Sequence, residues 1–290
     1  MEITRRRLMA GGGAALAAGI AGVGFAATGA TLGSRRLTTL SDGNLVLPRD
    51  FVIGDLPEPQ ATAALAQHGI TGDTLTPPCN LTLWQDGTRT VLFDAGSGPA
   101  FMPSAGKLMD ALDAAGVTPD EITHILFTHA HPDHLWGVLD DFDDPVFSNA
   151  SYMIGQAEWA YWTDPATVDS IGAARASFAV GAARRLAAIG DSVAFIQGGQ
   201  EVLPGILAHD TPGHTPGHMG FEIRQGGDAV MVVGDAIGNG HLALAHPQWA
   251  SGADQDKDTG ITTRLRLLDR LATDRMAMVG FHLPEGGLGR

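Results

Sequence analysis

The segment 122–127 is mostly apolar and leads straight into Thr128-His129-Ala130-His131-Pro132-Asp133-His134, whose last six positions hold three imidazoles and a carboxylate. Buried polar groups need partners. Any fold that accepts this segment must therefore satisfy four polar side chains at one place, and a cation does so. On a strand, His129 and His131 at i and i+2 point the same way and share one ion, while Pro132 ends the strand and puts Asp133 and His134 on the turn after it, facing a second ion. Three further residues, His214 in "TPGHTPGH", Asp235 in "VVGDA" and His282 in "VGFH", each close an apolar run beside a glycine or a turn. Together they make seven nitrogen or oxygen donors. The isolated His68, His124, His209, His241 and His246 read as surface or hydrogen-bonded residues. The single cysteine, Cys79, excludes an intrachain disulfide and a cysteine-rich zinc site, which leaves nitrogen and oxygen as ligand atoms.

The rest of the chain is organised around that cluster. Among its 290 residues there is no repeat, low-complexity run or internal linker, and residues 34–290 read as one domain. Asp42-Gly43 and Asp86-Gly87 sit between apolar or β-branched runs and predict two hairpins. "SAGKLMDALDAAG" predicts a helix capped by Ser104 and ended by Gly116; "TPDE" predicts a capped turn before the strand leading to His129. Helices are predicted at "QAEWAYW", from Ala166 to Gly190 and at "ITTRLRLLDRLA", and strands at "AVMVVGDA" and "MAMVGFH". Strands come first, then strands mixed with helices, as in sheets with helices packed outside.

Residues 1–33 have the layout of an export leader: Arg5, Arg6 and Arg7 precede an uncharged, Ala- and Gly-rich stretch from Leu8 to Leu32. Thr4-Arg5-Arg6-Arg7-Leu8-Met9 resembles a twin-arginine signal, which predicts a periplasmic or secreted protein. Small residues allow cleavage after Ala26 or Ala30. The stretch approaches the ~20 residues of a membrane anchor but is weakly hydrophobic for one, so no stable membrane contact is expected after cleavage. Removing residues 1–30 takes away three arginines and one glutamate, moving the net charge from −14 to −16. Such a surface repels phosphate backbones and acidic membranes, so the expected partner is a small-molecule substrate rather than a nucleic acid. A homodimer is compatible with the sequence.

His129-x-His131-x-Asp133-His134, followed by Thr211-Pro212-Gly213-His214, Gly234-Asp235 and Gly280-x-His282, resembles the ordered signature of the metallo-β-lactamase-fold hydrolases. The resemblance implies an α/β fold, an αββα sandwich of two mixed sheets with helices on both outer faces and the metals at one edge. It implies two divalent ions, zinc first, with manganese, cobalt, nickel or iron as alternatives. His129, His131 and His214 would hold one ion, Asp133, His134 and His282 the other, and Asp235 would bridge them. Asp94 in "VLFDAG" would orient a ligand, and His218 would be structural. A bridging hydroxide would be the nucleophile, with Asp133 shuttling the proton.

Within the family, "LSDGNLVLP", "THAHPDH", "TPGHTPGH" and "FHLP" with "GLGR" look most like the methyl parathion hydrolase group, and "QAEWAYW" suggests Trp162 as a wall of the substrate pocket. Relatives continue further beyond the last ligand, which here implies a short sheet edge or a truncated end. Many true β-lactamases carry a cysteine in the second site; Asp235 stands in this chain, which favours small apolar esters, lactones or phosphotriesters. The rivals are an acyl-homoserine lactonase and a mono-iron sulfur dioxygenase.

Overall fold

The computed structural model describes residues 28–33 and 35–289. Residues 1–27, with the twin-arginine motif and most of the expected leader, lie outside the described residues. The first sheet opens with β1 (Thr28–Leu32) paired antiparallel to β2 (Arg35–Asn44). Leu32 is buried in the core, so this sheet includes residues upstream of position 34. A small ribbon, β3 (Leu47–Pro48) with β4 (Thr74–Leu75), precedes β5 (Pro78–Gln85), β6 (Thr90–Phe93), β7 (His124–Leu126), β8 (Ser151–Gly155) and β9 (Val193–Ile196). The seven-stranded order is β1-β2-β5-β6-β7-β8-β9, antiparallel as far as β6 and parallel from there on.

The second sheet takes β10 (Glu201–Leu203), β11 (Ile206–Asp210), β12 (Met219–Gln225), β13 (Asp228–Gly234), β14 (Ala277–Gly280) and β15 (Leu288–Gly289) in chain order. Only β13 and β14 run parallel in it, and the two-residue β15 forms its short edge. Alternation along the strands builds the layers. Val91 and Phe93 of β6 and Leu126 of β7 meet Phe221, Val230 and Val232 between the sheets. Leu92 and Ile125 turn outward against the helices Leu108–Ala115 and Ala176–Ile189. On the other side, Met231 and Val233 pack under Leu267 and Leu271 of the helix Lys257–Asp274. This is the αββα sandwich. Among the described residues, no helix is long and apolar enough to cross a membrane.

Local expectations divide. The Asp86-Gly87 hairpin forms between β5 and β6, with Asp86 Oδ1 accepting from the backbone N–H of Thr88 and Arg89. Asp42-Gly43, however, is no hairpin turn: β2 runs through it with a register shift between Ser41 and Asn44. The reason is that the buried Asp42 carboxylate accepts from the backbone N–H of Ser97 and of Leu108, both at 2.8 Å. Asp42 thereby caps the helix that begins at Leu108, a role the sequence suggested for Ser104. Gly116 ends that helix at φ 70°, and Thr118 and Glu121 form the expected capping box. The long helix expected from Ala166 is broken into Thr167–Ser170 and Ala176–Ile189, with Gly172 at φ 94° between them.

Candidate metal centre

The strand before the histidines ends earlier than its apolar pattern suggested. β7 stops at Leu126, so His129 and His131 sit on a loop and not at strand positions i and i+2. That loop is pinned on both sides: Phe127 N–H donates to Met153 O, Thr128 N–H to Asp94 Oδ1, and Met219 N–H to Thr128 O. Pro132 then opens a short helix, Pro132–Leu135, which carries Asp133 and His134. Parallel pairing of β13 and β14 puts Gly234 level with Gly280, so Asp235 and His282 leave the second sheet at the same edge. His214 comes from the loop between β11 and β12. Gly234 has φ 52°, and a Cβ there would lie 2.7 Å from His218 Nε2. That close approach lets Asp235 N–H donate to His218 Nε2 at 3.0 Å.

All seven sequence-selected donors meet at this edge, each less than a tenth exposed. His129 Nε2 and His214 Nε2 lie 3.0 and 2.9 Å from the same atom, His131 Nδ1. One neutral imidazole nitrogen cannot satisfy two such neighbours by hydrogen bonding, since each ring has a single N–H. Three nitrogens around one point is what a tetrahedral ion would require, their spacing being close to the ~3.3 Å edge set by metal–nitrogen bonds of about 2.0–2.1 Å. Beside them, His134 Nε2 is 3.6 Å from Asp133 Oδ2 and 3.4 Å from Asp235 Oδ1, and His282 Nε2 is 3.1 Å from Asp133 Oδ2. The other Asp235 oxygen is 3.3 Å from both His214 Nε2 and His282 Nε2, so this carboxylate stands between the two groups. His131 Nε2, Asp133 Oδ2, His134 Nε2 and Asp235 Oδ1 are buried without a hydrogen-bond partner. The three of these that belong to the cluster, Asp133 Oδ2, His134 Nε2 and Asp235 Oδ1, fit a cation; His131 turns Nδ1 to its group, so its orphaned Nε2 lies on the far side of the ring.

The far nitrogen of four of the five rings is held, that of His131 being the exception. Thr128 Oγ1 lies 3.0 Å from His129 Nδ1, Asp94 Oδ2 2.8 Å from His134 Nδ1, Asp254 Oδ1 3.3 Å from His214 Nδ1 and Pro78 O 2.8 Å from His282 Nδ1. Such contacts set the tautomer and aim the free nitrogen. Asp94 thus stands behind His134, one of the seven clustered side chains. His218 is engaged on both sides, by Thr211 Oγ1 at 2.8 Å and by Asp235 N–H, and has no nitrogen left for an ion.

Electrostatics sort the rings. Burial, then the neighbouring rings, hold His129 and His131 well below the usual histidine value, and burial pushes His218 down to about 3. Burial also opposes charge on His134, but Asp235, Asp133 and Asp94 push it up to about 10. His282 is raised by Asp235 and Asp133 against the same burial. Burial works against ionising Asp133 and Asp235, yet His134 and His282 keep both below the usual carboxylate value.

Some functional neighbours escaped the sequence reading. Cys79, set aside with sulfur ligation, has its thiol within 4.8 Å of the ligand atoms of Asp133 and His282; burial pushes that thiol up to about 12, which keeps it protonated. Asp254 backs His214 and is itself backed by the buried Arg264 at 3.6 Å. Glu158 lies between the two ligand loops. Trp162 does not wall a pocket: it is buried, its Nε1–H donates to Glu158 Oε1 at 2.6 Å, and its ring meets His131 edge-on. The cavity above the ligands is walled instead by Leu45, Phe51, Phe101, Phe178, Leu242 and Trp249, with Arg175 among them.

Two facing mixed sheets with helices outside and a His/Asp cluster at one edge define a metal-dependent hydrolase of the metallo-β-lactamase fold. The sequence agrees with the structure: the pattern of the metallo-beta-lactamase superfamily matches residues 75–280, and the chain belongs to that superfamily. The chain is similar to AidC, a dizinc quorum-quenching lactonase solved in complex with a product (26% identity, TM-score 0.86, 91% of this chain and 93% of that one). It shares its fold with AbOPH, a hydrolase in the beta lactamase superfamily (24% identity, TM-score 0.85, 91% and 92% covered). Among curated proteins it is 28% identical over 199 residues to the uncharacterized protein YobT of Bacillus subtilis (strain 168), covering 67% of this chain and 79% of that one.

Proposed function

We propose that the protein is a dinuclear metallohydrolase of small, apolar esters, lactones or phosphotriesters, with a lactone ring carrying an acyl chain as the foremost substrate. The observation that carries this reading is the join between the seven-donor cluster and the apolar cavity, whose lining includes His131, Asp133, His214, Asp235 and His282. Likeness to the lactonase AidC supports the lactone arm. The motif layout resembling methyl parathion hydrolases supports the phosphotriester arm.

His129, His131 and His214 would hold one ion, Asp133, His134 and His282 the other, with Asp235 shared. Two divalent ions held by these residues, zinc first, would supply a water of pKa lowered toward 7 and Lewis acidity toward the substrate oxygen. The chain does the rest. Leu45, Phe51 and Leu242 exclude water and receive the apolar group. Arg175, tied by Nη2 to the carbonyls of Gly252 and Ala253, presents a cation at the cavity wall for a substrate carbonyl or a product carboxylate. Asp133, beside His282, accepts the proton released during attack and passes it to the leaving oxygen. No serine or cysteine nucleophile is invoked.

Elemental analysis of the purified protein, followed by acyl lactones, aryl esters and a phosphotriester, tests this. About two ions per chain and turnover of at least one class are expected. Saturation at a single iron, with oxygen uptake on persulfides, would replace it by the sulfur dioxygenase.

A further inference from the structure

Glu158 is fully buried, and among the described residues no cation pairs with it. An isolated buried carboxylate is costly. Here both oxygens are saturated: Oε1 accepts from Ala130 N–H at 2.9 Å and Trp162 Nε1–H at 2.6 Å, and Oε2 accepts from Thr215 Oγ1–H at 2.7 Å and Gly217 N–H at 3.0 Å. The placement of these donors is informative. Ala130 lies between His129 and His131, while Thr215 and Gly217 follow His214. One carboxylate thus grips the two separate loops that carry all three nitrogens of the first group, and the His131–His214 contact of 2.9 Å spans the gap between them. At Gly217 a Cβ would strike the backbone of Glu158, so the helix Gln156–Thr163 is seated directly against the loop.

We propose that Glu158 is a positioning residue for the first metal site: it fixes the separation of the His129–His131 loop from the His214 loop. Every donor it meets is an N–H except the Thr215 hydroxyl. Glu158→Gln keeps the volume, yet whichever way the amide is turned its NH2 faces at least one backbone or indole N–H, so the grip on one loop is lost.

The inference rests on the two-ion reading, and a wild-type protein that retains no ions would sink that reading itself, separately from Glu158. The test loads wild type, Glu158→Gln, Trp162→Phe and His214→Ala with zinc and follows release to a chromogenic chelator. In Glu158→Gln one ion per chain is expected to leave ~10 to 100-fold faster, the range for residues that orient ligands. Trp162→Phe removes one donor without uncoupling the loops, and is expected to lower Tm while leaving release within about threefold of wild type. In a His214→Ala background, where the first site is already broken, adding Glu158→Gln is expected to leave release of the remaining ion unchanged. A Glu158→Gln protein that loses Tm but releases both ions at the wild-type rate, or one that speeds release of the remaining ion in the His214→Ala background, overturns the proposal. Should Glu158→Gln not fold, Thr215→Val removes one contact to one loop only; faster loss of one ion supports the proposal and unchanged release overturns it.

Discussion

Replacing Asp94 by Asn tests whether the residues behind the ligands govern the ligands themselves. Asp94 is 1% exposed and holds a left-handed backbone at φ 65°. Asn tolerates that conformation far better than Ala, so the substitution leaves the backbone alone. Asn Oδ1 can still accept from Thr128 N–H and Oγ1–H, which Asp94 Oδ1 now binds at 2.7 and 3.1 Å. The other position becomes an NH2 facing His134 Nδ1, where a carboxylate oxygen sat at 2.8 Å. To avoid two opposed donors, His134 must move its proton to Nε2, the atom aimed at Asp133 and Asp235. A protonated Nε2 cannot ligate. The expected result is a ~10 to 100-fold loss of affinity for the second ion, which corresponds to about 1.4–2.8 kcal/mol, with the first ion unaffected. Competition against a chelator of known zinc affinity, at constant pH and with the folded fraction checked by circular dichroism, measures it. Wild-type affinity for both ions in a folded Asp94→Asn protein would refute the tautomer argument.

His214→Ala is expected to lose the first ion and nearly all turnover, whereas His218→Ala keeps most of its metal and loses about 1–3 kcal/mol of stability through the unsatisfied Asp235 N–H; elemental analysis and thermal melts separate the two. Ion binding must displace the protons that His134 holds below about 10 and that His282 also holds. Zinc affinity is therefore expected to rise by roughly tenfold per pH unit for each proton displaced, and a flat profile from pH 7 to 9 would contradict it. In the metal-free protein the His134 charge has the opposite sign of effect: its raised value stabilises the fold fully below 6.5 and that contribution fades as pH rises through about 10. At free ion a thousandfold above Kd, each site adds about 4 kcal/mol, so chelation is expected to lower Tm by roughly 8–16 °C per site for a domain of this size; an unchanged Tm in differential scanning calorimetry would show that the sites do not couple to the fold.

The seven clustered side chains were legible because they follow apolar runs, a pattern that survives even though β7 ends three residues before His129. The partners behind them were not. Asp254 and Glu158 are single acidic residues lying 40 and 28 positions from the ligand-loop groups they contact, His214 and Ala130, with no local pattern to mark them. Asp42-Gly43 misled for a related reason: its turn chemistry is real, but the carboxylate answers to Ser97 and Leu108, far along the chain. Trp162 was read from its neighbourhood in sequence, while its place is decided by a hydrogen bond inside its own helix.

The donors straddle the two sheets: His129, His131, Asp133 and His134 follow β7 of one, while His214, Asp235 and His282 belong to the other. A complete cluster therefore exists only after the sheets have docked, so ion capture would be a late folding event, and an ion held there would act as a cross-link closing a loop of many tens of residues. Long-range pairing of this kind folds slowly, and an ion that must leave before the sheets part slows the reverse step. Loaded protein should thus persist far longer in denaturant than its equilibrium stability alone would suggest, its lifetime following the rate of ion loss.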